Sequence, residues 1–241
     1  MRDLLLMSYE EAEGYFRECD LVLLPLGSVE QHGPANPLGT DTLIADALAG
    51  EVSRRTGVLK LPVIPIGVSF HHMHFPGTLT VSERSLEEYL LDVIRSLARW
   101  GVKRVLVVNG HGGNLAALQV VSRRSLEELG VRVYVYQWWT SSSGIVEGLF
   151  GPEERGHAAA AETSMIMHLH PESVLADRLL DQEVKEDKLS RLTHFSYTIE
   201  SSGSGVLGRQ RTASAERGRT LFEALVEDLS GIVEELKKVR S

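Results

Sequence analysis

Glu30 and His32 stand two residues apart, just past the apolar run Leu21 to Leu26. In extended chain, side chains at i and i+2 point the same way, so this carboxylate and imidazole can share a metal ion. Asp41 comes next, at the opening of a helical stretch. An aspartate there either caps the helix or turns inward as a ligand. His111 sits in Asn109-Gly110-His111-Gly112-Gly113-Asn114, after a second apolar run. Its glycine neighbours let backbone approach a ligand closely. The spacing fits neither the dinucleotide fingerprint nor the P-loop, so the histidine points to a metal or a reacting group. Glu162 lies between Ala158-Ala159-Ala160-Ala161 and Met165-Ile166. A carboxylate buried there without a partner costs several kcal/mol, which a cation would offset. The alternative is that Glu162 faces solvent or caps the chain.

The elements that must position these groups alternate. Ser8 to Glu11 reads as a capping box opening a helix to about Cys19. Strand patterns cover Leu21 to Leu26, Arg104 to Val108 and Val131 to Tyr136. Val58 to Ile66, interrupted by Pro62 and Pro65, reads as an extended segment at a sheet edge. Helical periodicity covers Thr42 to Arg55, Leu86 to Trp100 and Asn114 to Leu129, each closed by a glycine. It returns at His157 to His170 and at Glu216 to Val239, the latter with Leu221, Leu225, Leu229, Ile232 and Leu236 on one stripe. The order predicts an α/β fold with a parallel sheet and helices on both faces, in one domain spanning 1–241. Ligands in such sheets gather beyond the carboxyl ends of strands, where Glu30, His32 and His111 fall. Residues 182–204 carry no clear pattern. His71 and His72, before Phe75-Pro76-Gly77-Thr78, read as exposed polar residues, with His74 placed to reach a pocket. Trp138-Trp139 read as core packing or a pocket wall, and Cys19 as a packing residue at a helix end.

The chain has 241 residues, 43% hydrophobic and 24% charged, which supports a sizeable core and excludes disorder. Its net charge of −8 argues against nucleic acid as a partner. One cysteine excludes an intrachain disulfide and a cysteine-rich zinc site. No apolar run approaches the roughly 20 residues that span a bilayer, and no signal-peptide pattern opens the chain, so no membrane partner and a cytoplasmic location are expected. A literal G-x-G-x-x-G at Gly203 to Gly208 lies late, without an apolar helix after it, and is set aside for dinucleotide binding.

Taken together, the segments Leu24-Pro25-Leu26-Gly27-Ser28-Val29-Glu30-Gln31-His32-Gly33-Pro34, Gly39-Thr40-Asp41-Thr42, Phe75-Pro76-Gly77-Thr78, Val108 to Asn114 and His157 to Thr163 resemble the creatininase (creatinine amidohydrolase) family. Gly205-Val206-Leu207-Gly208 with Ala215-Glu216-Arg217-Gly218 is similar to its late signature, which re-explains the glycine motif. The resemblance implies a three-layer α/β/α sandwich around a mainly parallel sheet, hydrolysis of C–N amide bonds, and a homo-oligomer, commonly a hexamer. It implies two divalent metal ions per chain, with Glu30 and His111 on one, His32 and Glu162 on the other and Asp41 bridging, and His157 as the catalytic group handling the leaving-group proton. Where creatininase proper carries an aromatic residue and a metal-binding glutamate, this chain has Gly112 and Gly113, which moves the fifth ligand role to Glu162 and the substrate away from creatinine. Arg209-Gln210 replaces a frequent Asp-Pro. Both departures are similar to the branch holding formamide hydrolases of flavin and deazaflavin precursor synthesis and peptide-trimming enzymes of redox-peptide maturation.

Such a ligand set suits Zn, Mn or Fe equally. The expected chemistry is attack of a metal-held hydroxide on the carbonyl of a small-molecule amide, cyclic or formamide, with His157 protonating the departing nitrogen. Two rivals stand beside it: a non-catalytic metal-binding α/β protein, and a two-metal phosphohydrolase.

Overall fold

The computed structural model describes residues 2–185, 191–192 and 194–239. Ser8 opens α1 (Tyr9–Glu18) with the expected reciprocal cap, its hydroxyl accepting from Glu11 N–H while the Glu11 carboxylate accepts from Ser8 N–H. Then come β1 (Leu21–Leu26), α2 (Thr40–Thr56), β2 (Leu59–Lys60), α3 (Glu83–Arg99), β3 (Arg104–Asn109), α4 (Leu115–Leu129) and β4 (Arg132–Gln137). The remainder comprises α5 (Trp138–Ser141), α6 (Ser143–Leu149), α7 (Ala160–Leu169), α8 (Thr198–Ser201) and α9 (Ala215–Lys238).

The four strands are parallel in the order β2-β1-β3-β4, with the proline-bounded β2 at the edge as its sequence required. β1 and β3 are buried along their whole length, which explains their unbroken apolar runs. The period of two sorts their side chains. Leu21, Leu23, Leu106 and Val108 pack with α2, α7 and α9, while Val22, Leu24, Val105 and Val107 pack with α1, α3 and α4. The result is the three-layer sandwich expected.

Two readings change. The stripe of the last helix is made of partly different residues: Leu221, Leu225, Leu229 and Leu236 are buried within the chain as expected of one face, packed in one core with α2 and α7 residues. Val226 and Val233 take the place expected of Ile232, which is only partly buried, as the 3.6 period drifts from a fixed stripe. The helix expected from His157 begins at Ala160, so His157 lies in the turn before it. Of the patternless stretch 182–204, residues 186–190 and 193 lie outside the described residues. No helix among the described residues is long and apolar enough to cross a membrane.

Candidate active site and metal centre

β1 delivers its chain to the carboxyl edge of the sheet, where the Phe75-Pro76-Gly77-Thr78 turn and its neighbours clamp residues 29–31. Gln31 N–H donates to Thr78 Oγ1 at 3.1 Å, Glu30 N–H donates to Leu38 O at 2.8 Å, and Val29 bridges Leu79. Held this way, Glu30 and His32 are fully buried and face a common centre. Asp41, in the first turn of α2, does not cap its helix: Gly39 is the N-cap, without a side-chain bond. The carboxylate turns inward, accepts from Ser28 Oγ at 2.8 Å, and divides its two oxygens. Oδ1 lies 3.0 Å from His32 Nε2 and Oδ2 lies 3.1 Å from His111 Nδ1.

His111 comes from the end of β3. Gly110 lets that turn press on α2, because a Cβ there would stand 2.2 Å from Asp41 O. Asn109 Nδ2 donates to His111 O at 2.7 Å. Asn114, fully buried, donates through Nδ2 to Gly27 O and accepts from Val68 N–H, tying the ends of β1 and β3 to the loop carrying His71 and His72. Backbone carbonyls also set the imidazoles. A carbonyl only accepts, so His32 Nδ1 donates to Glu30 O (3.1 Å) and His111 Nε2 donates to Val68 O (2.9 Å). Each ring therefore presents its other nitrogen to Asp41, the arrangement in which a neutral histidine binds a metal.

The third contributor is the turn before α7. Ala158 takes the left-handed conformation, φ 56°, uncommon for a residue with a side chain. Its N–H donates to Glu162 Oε2 at 2.6 Å, and the same oxygen lies 3.7 Å from His32 Nε2. The turn is clamped by the late glycine segment: Leu207 N–H donates to His157 O, and a Cβ on Gly156 would stand 1.8 Å from Leu207 O. His157 Nε2 donates to Gln31 O at 2.8 Å, which leaves Nδ1 facing the centre, 3.8 Å from Glu30 Oε1.

All six residues singled out from the sequence thus meet in one place. Their ligand atoms form three overlapping groups: Glu30, Asp41 and His111; His32, Asp41 and Glu162; and Glu30, His32 and His157. Asp41 belongs to the first two. Among the described residues neither buried Glu30 oxygen has an aligned hydrogen-bond donor, although His111 Nε2 and His72 Nε2 approach at 3.1 and 3.2 Å. A fully buried carboxylate left so, close to the Asp41 carboxylate and the imidazole nitrogens that face it, is the chemistry of a cation site, so these residues fit divalent metal ions.

The electrostatics agree in direction. Burial works to lower the His32 pKa, but the charges of Asp41, Glu162 and Glu30 overcome it and hold His32 up at about 10. His111 is likewise raised against burial by Glu30 and Asp41. Burial works to raise Asp41, yet the His32 charge and the hydrogen bonds to both histidines bring it to about 2. Glu162 is pushed up to about 7, by burial first and the Asp41 charge next, against the pull of His32. His157 is lowered, by burial and then by the charges of His32 and His72, and is therefore neutral at pH 7.

Three histidines stand elsewhere than their sequence suggests, and the first, His71, is half-buried. His72 is buried, 3% exposed, beside Glu30, while His74 is exposed and meets Tyr197 edge-on. The 3-10 turn Phe70–His72 points the second histidine of the pair inward, where its Nδ1 lies 2.9 Å from both Gln31 Nε2 and Thr198 Oγ1. The signal available was its closeness to the Phe75 to Thr78 clamp. Trp138 is in the core, and Trp139 lines the site cavity with His71, His72, Gly112, Gly113 and Arg155. That cavity measures about 290 Å³.

The fold is that of an amide-hydrolase family. Residues 6–233 match the family described as Creatininase, creatinine amidohydrolase, and the chain belongs to it. It is 36% identical over 222 residues to a mycofactocin precursor peptide peptidase of Mycobacterium ulcerans, covering 86% of this chain and 82% of that one. It is 27% identical over 253 residues to the creatinine amidohydrolase of Pseudomonas putida, covering 95% of each. A solved structure titled "Creatininase Mn" superposes with a TM-score of 0.84 at 25% identity, over 98% of this chain and 99% of that one. The protein is a creatininase-family amidohydrolase.

Proposed function

We propose that the chain is one catalytic unit that hydrolyses a non-peptide C–N amide bond, cyclic or formamide, at a centre of two divalent metal ions. The observation that carries this is the division of the Asp41 carboxylate between His32 and His111, with Glu162 and Glu30 on the two flanks. Glu30, Asp41 and His111 would hold one ion, and His32, Asp41 and Glu162 would hold the other. Zn, Mn and Fe all suit this donor set. Ions held here supply Lewis-acid polarisation of the amide carbonyl and lower the pKa of water.

The protein groups do the rest. The backbone carbonyls of Glu30 and Val68 fix the tautomers of His32 and His111, and the Ser28 hydroxyl orients Asp41. His157, neutral with its Nε2 proton on Gln31 O, takes at Nδ1 the proton that the attacking water gives up and passes it to the leaving nitrogen. His72 stands behind Glu30, its Nε2 3.2 Å from Oε1. On family resemblance we extend the proposal to a cytoplasmic homo-oligomer, commonly a hexamer in this family; the buried stripe of α9 lends it no support.

A second reading, trimming of a peptide end, is favoured by the 36% identity to the peptide peptidase and by the absence of side chains at Gly112 and Gly113. The test is turnover by metal-loaded protein on cyclic amides, formamides, short peptides and phosphate esters. Hydrolysis of cyclic amides or formamides supports the first reading, peptides the second. Turnover of phosphate esters alone favours the phosphohydrolase, and bound metal without any hydrolysis favours an inert metal protein.

A further inference from the structure

Arg155 stands two residues before His157 and lines the site cavity with it. Among the described residues it is the one lysine or arginine in that lining. Its Nε is buried and, among the described residues, has no hydrogen-bond partner. One terminal nitrogen meets Glu147 Oε1 at 2.6 Å, but the Glu147 side chain is 57% exposed, so the pair is screened by water and contributes little. Guanidinium offers five donors in a planar fork, and here much of that fork is uncommitted at the wall of a reaction cavity. The loaded centre would not repel an anion, because two divalent cations outweigh the three carboxylates Glu30, Asp41 and Glu162.

We propose that Arg155 is the receptor for an anionic group, a carboxylate or a phosphate, that the substrate carries close to its scissile amide. This rests on the amidohydrolase reading above and narrows its substrate class to acidic amides. The cavity of about 290 Å³ admits a small acid or the end of a larger one, with amide and anion only a few bonds apart. The anion displaces the exposed Glu147 and gains the buried Nε–H as a second donor, a bidentate charge-assisted contact. Placed next to His157, it would also hold the leaving nitrogen in reach of Nδ1.

The test uses metal-loaded protein and three formamides of matched size: N-formylglycine, its neutral methyl ester, and N-formyl-phosphoethanolamine. The expected preference for an anionic substrate over the ester is about 10- to 100-fold in kcat/KM, the worth of a hydrogen-bonded charge. Carboxylate and phosphate arms show which anion fits. Arg155→Met should abolish the preference, mainly through KM, with metal content unchanged. Glu147→Gln should keep or sharpen it, and reads the proposal even if Arg155→Met does not fold. If no formamide is turned over, the same compounds are titrated by calorimetry, where the same tenfold or greater difference in Kd is expected. Equal handling of acid and ester by the native chain, or an unchanged preference in Arg155→Met, overturns the assignment. A binding preference without formamide turnover keeps Arg155 as the receptor and counts against a formamide substrate instead.

Discussion

In the proposed centre, single residues divide into those that would hold metal and the one that would move a proton. His157 keeps Nε2 on a backbone carbonyl and has Nδ1 free, so His157→Ala should retain its metals and fold. Its turnover should fall about 10²–10⁴-fold, with a smaller loss on amides whose leaving group needs no protonation. Turnover on an activated and an unactivated amide, beside metal content, reads this; lost metal would make His157 a ligand. His72 contributes differently, through the contact of its Nε2 with Glu30 Oε1. His72→Asn, which cannot reach that oxygen, should weaken metal binding about 10- to 100-fold, and His72→Gln should weaken it less. Competition with a chelating indicator measures both. The same geometry governs titration. Without metal, His32 is held up at about 10 and His111 is also raised, so both carry an extra proton at pH 7. Metal must displace those protons, so affinity rises with pH and loading releases on the order of two protons per chain. Calorimetry in buffers of different ionisation enthalpy counts them, and binding without proton release would refute the electrostatics.

Among the elements, the His157 turn and the late glycine segment are locked against each other by backbone contacts that leave no room for a side chain. Gly156 shows the consequence most clearly. Its Cβ position is 1.8 Å from Leu207 O, so Gly156→Val must part the His157 turn from the late glycine segment. We expect a lower melting temperature and a larger loss in kcat than in metal content, because His157 shifts while Glu30 and His111 stay beyond the ends of β1 and β3 and Asp41 stays at the start of α2. Thermal unfolding with parallel metal analysis would show it. These turns also explain what is legible in the sequence. Strand ends and glycine-flanked turns announce Glu30, His32 and His111, because period two and parallel-sheet topology place such residues at the carboxyl edge. The inward turn of Asp41 and the Ala158 contact of Glu162 are not legible, since a helix-opening acid can cap or ligate with the same local pattern. His72 escapes because a 3-10 turn of three residues has no periodicity to reveal which histidine points inward. The clamp formed by residues 205–208 depends on contacts with Gln31 and Glu153 far away in sequence, which no local pattern records.

Over the whole molecule, the sandwich brings residues from position 30 to position 162 around one buried carboxylate. Two helical layers enclose the sheet, and the apolar stripe of α9 is consumed in that packing. The fold therefore supplies a rigid edge, and the centre is built where β1 and β3 end and α2 and α7 begin. Everything proposed for the chemistry depends on Asp41 joining two cations in one hydrolytic centre. Elemental analysis of purified chain beside Asp41→Ala examines that joint. Close to two divalent metal ions per chain are expected in the native protein, with loss of most of both in the variant. Undiminished metal in Asp41→Ala would rule the bridging role out.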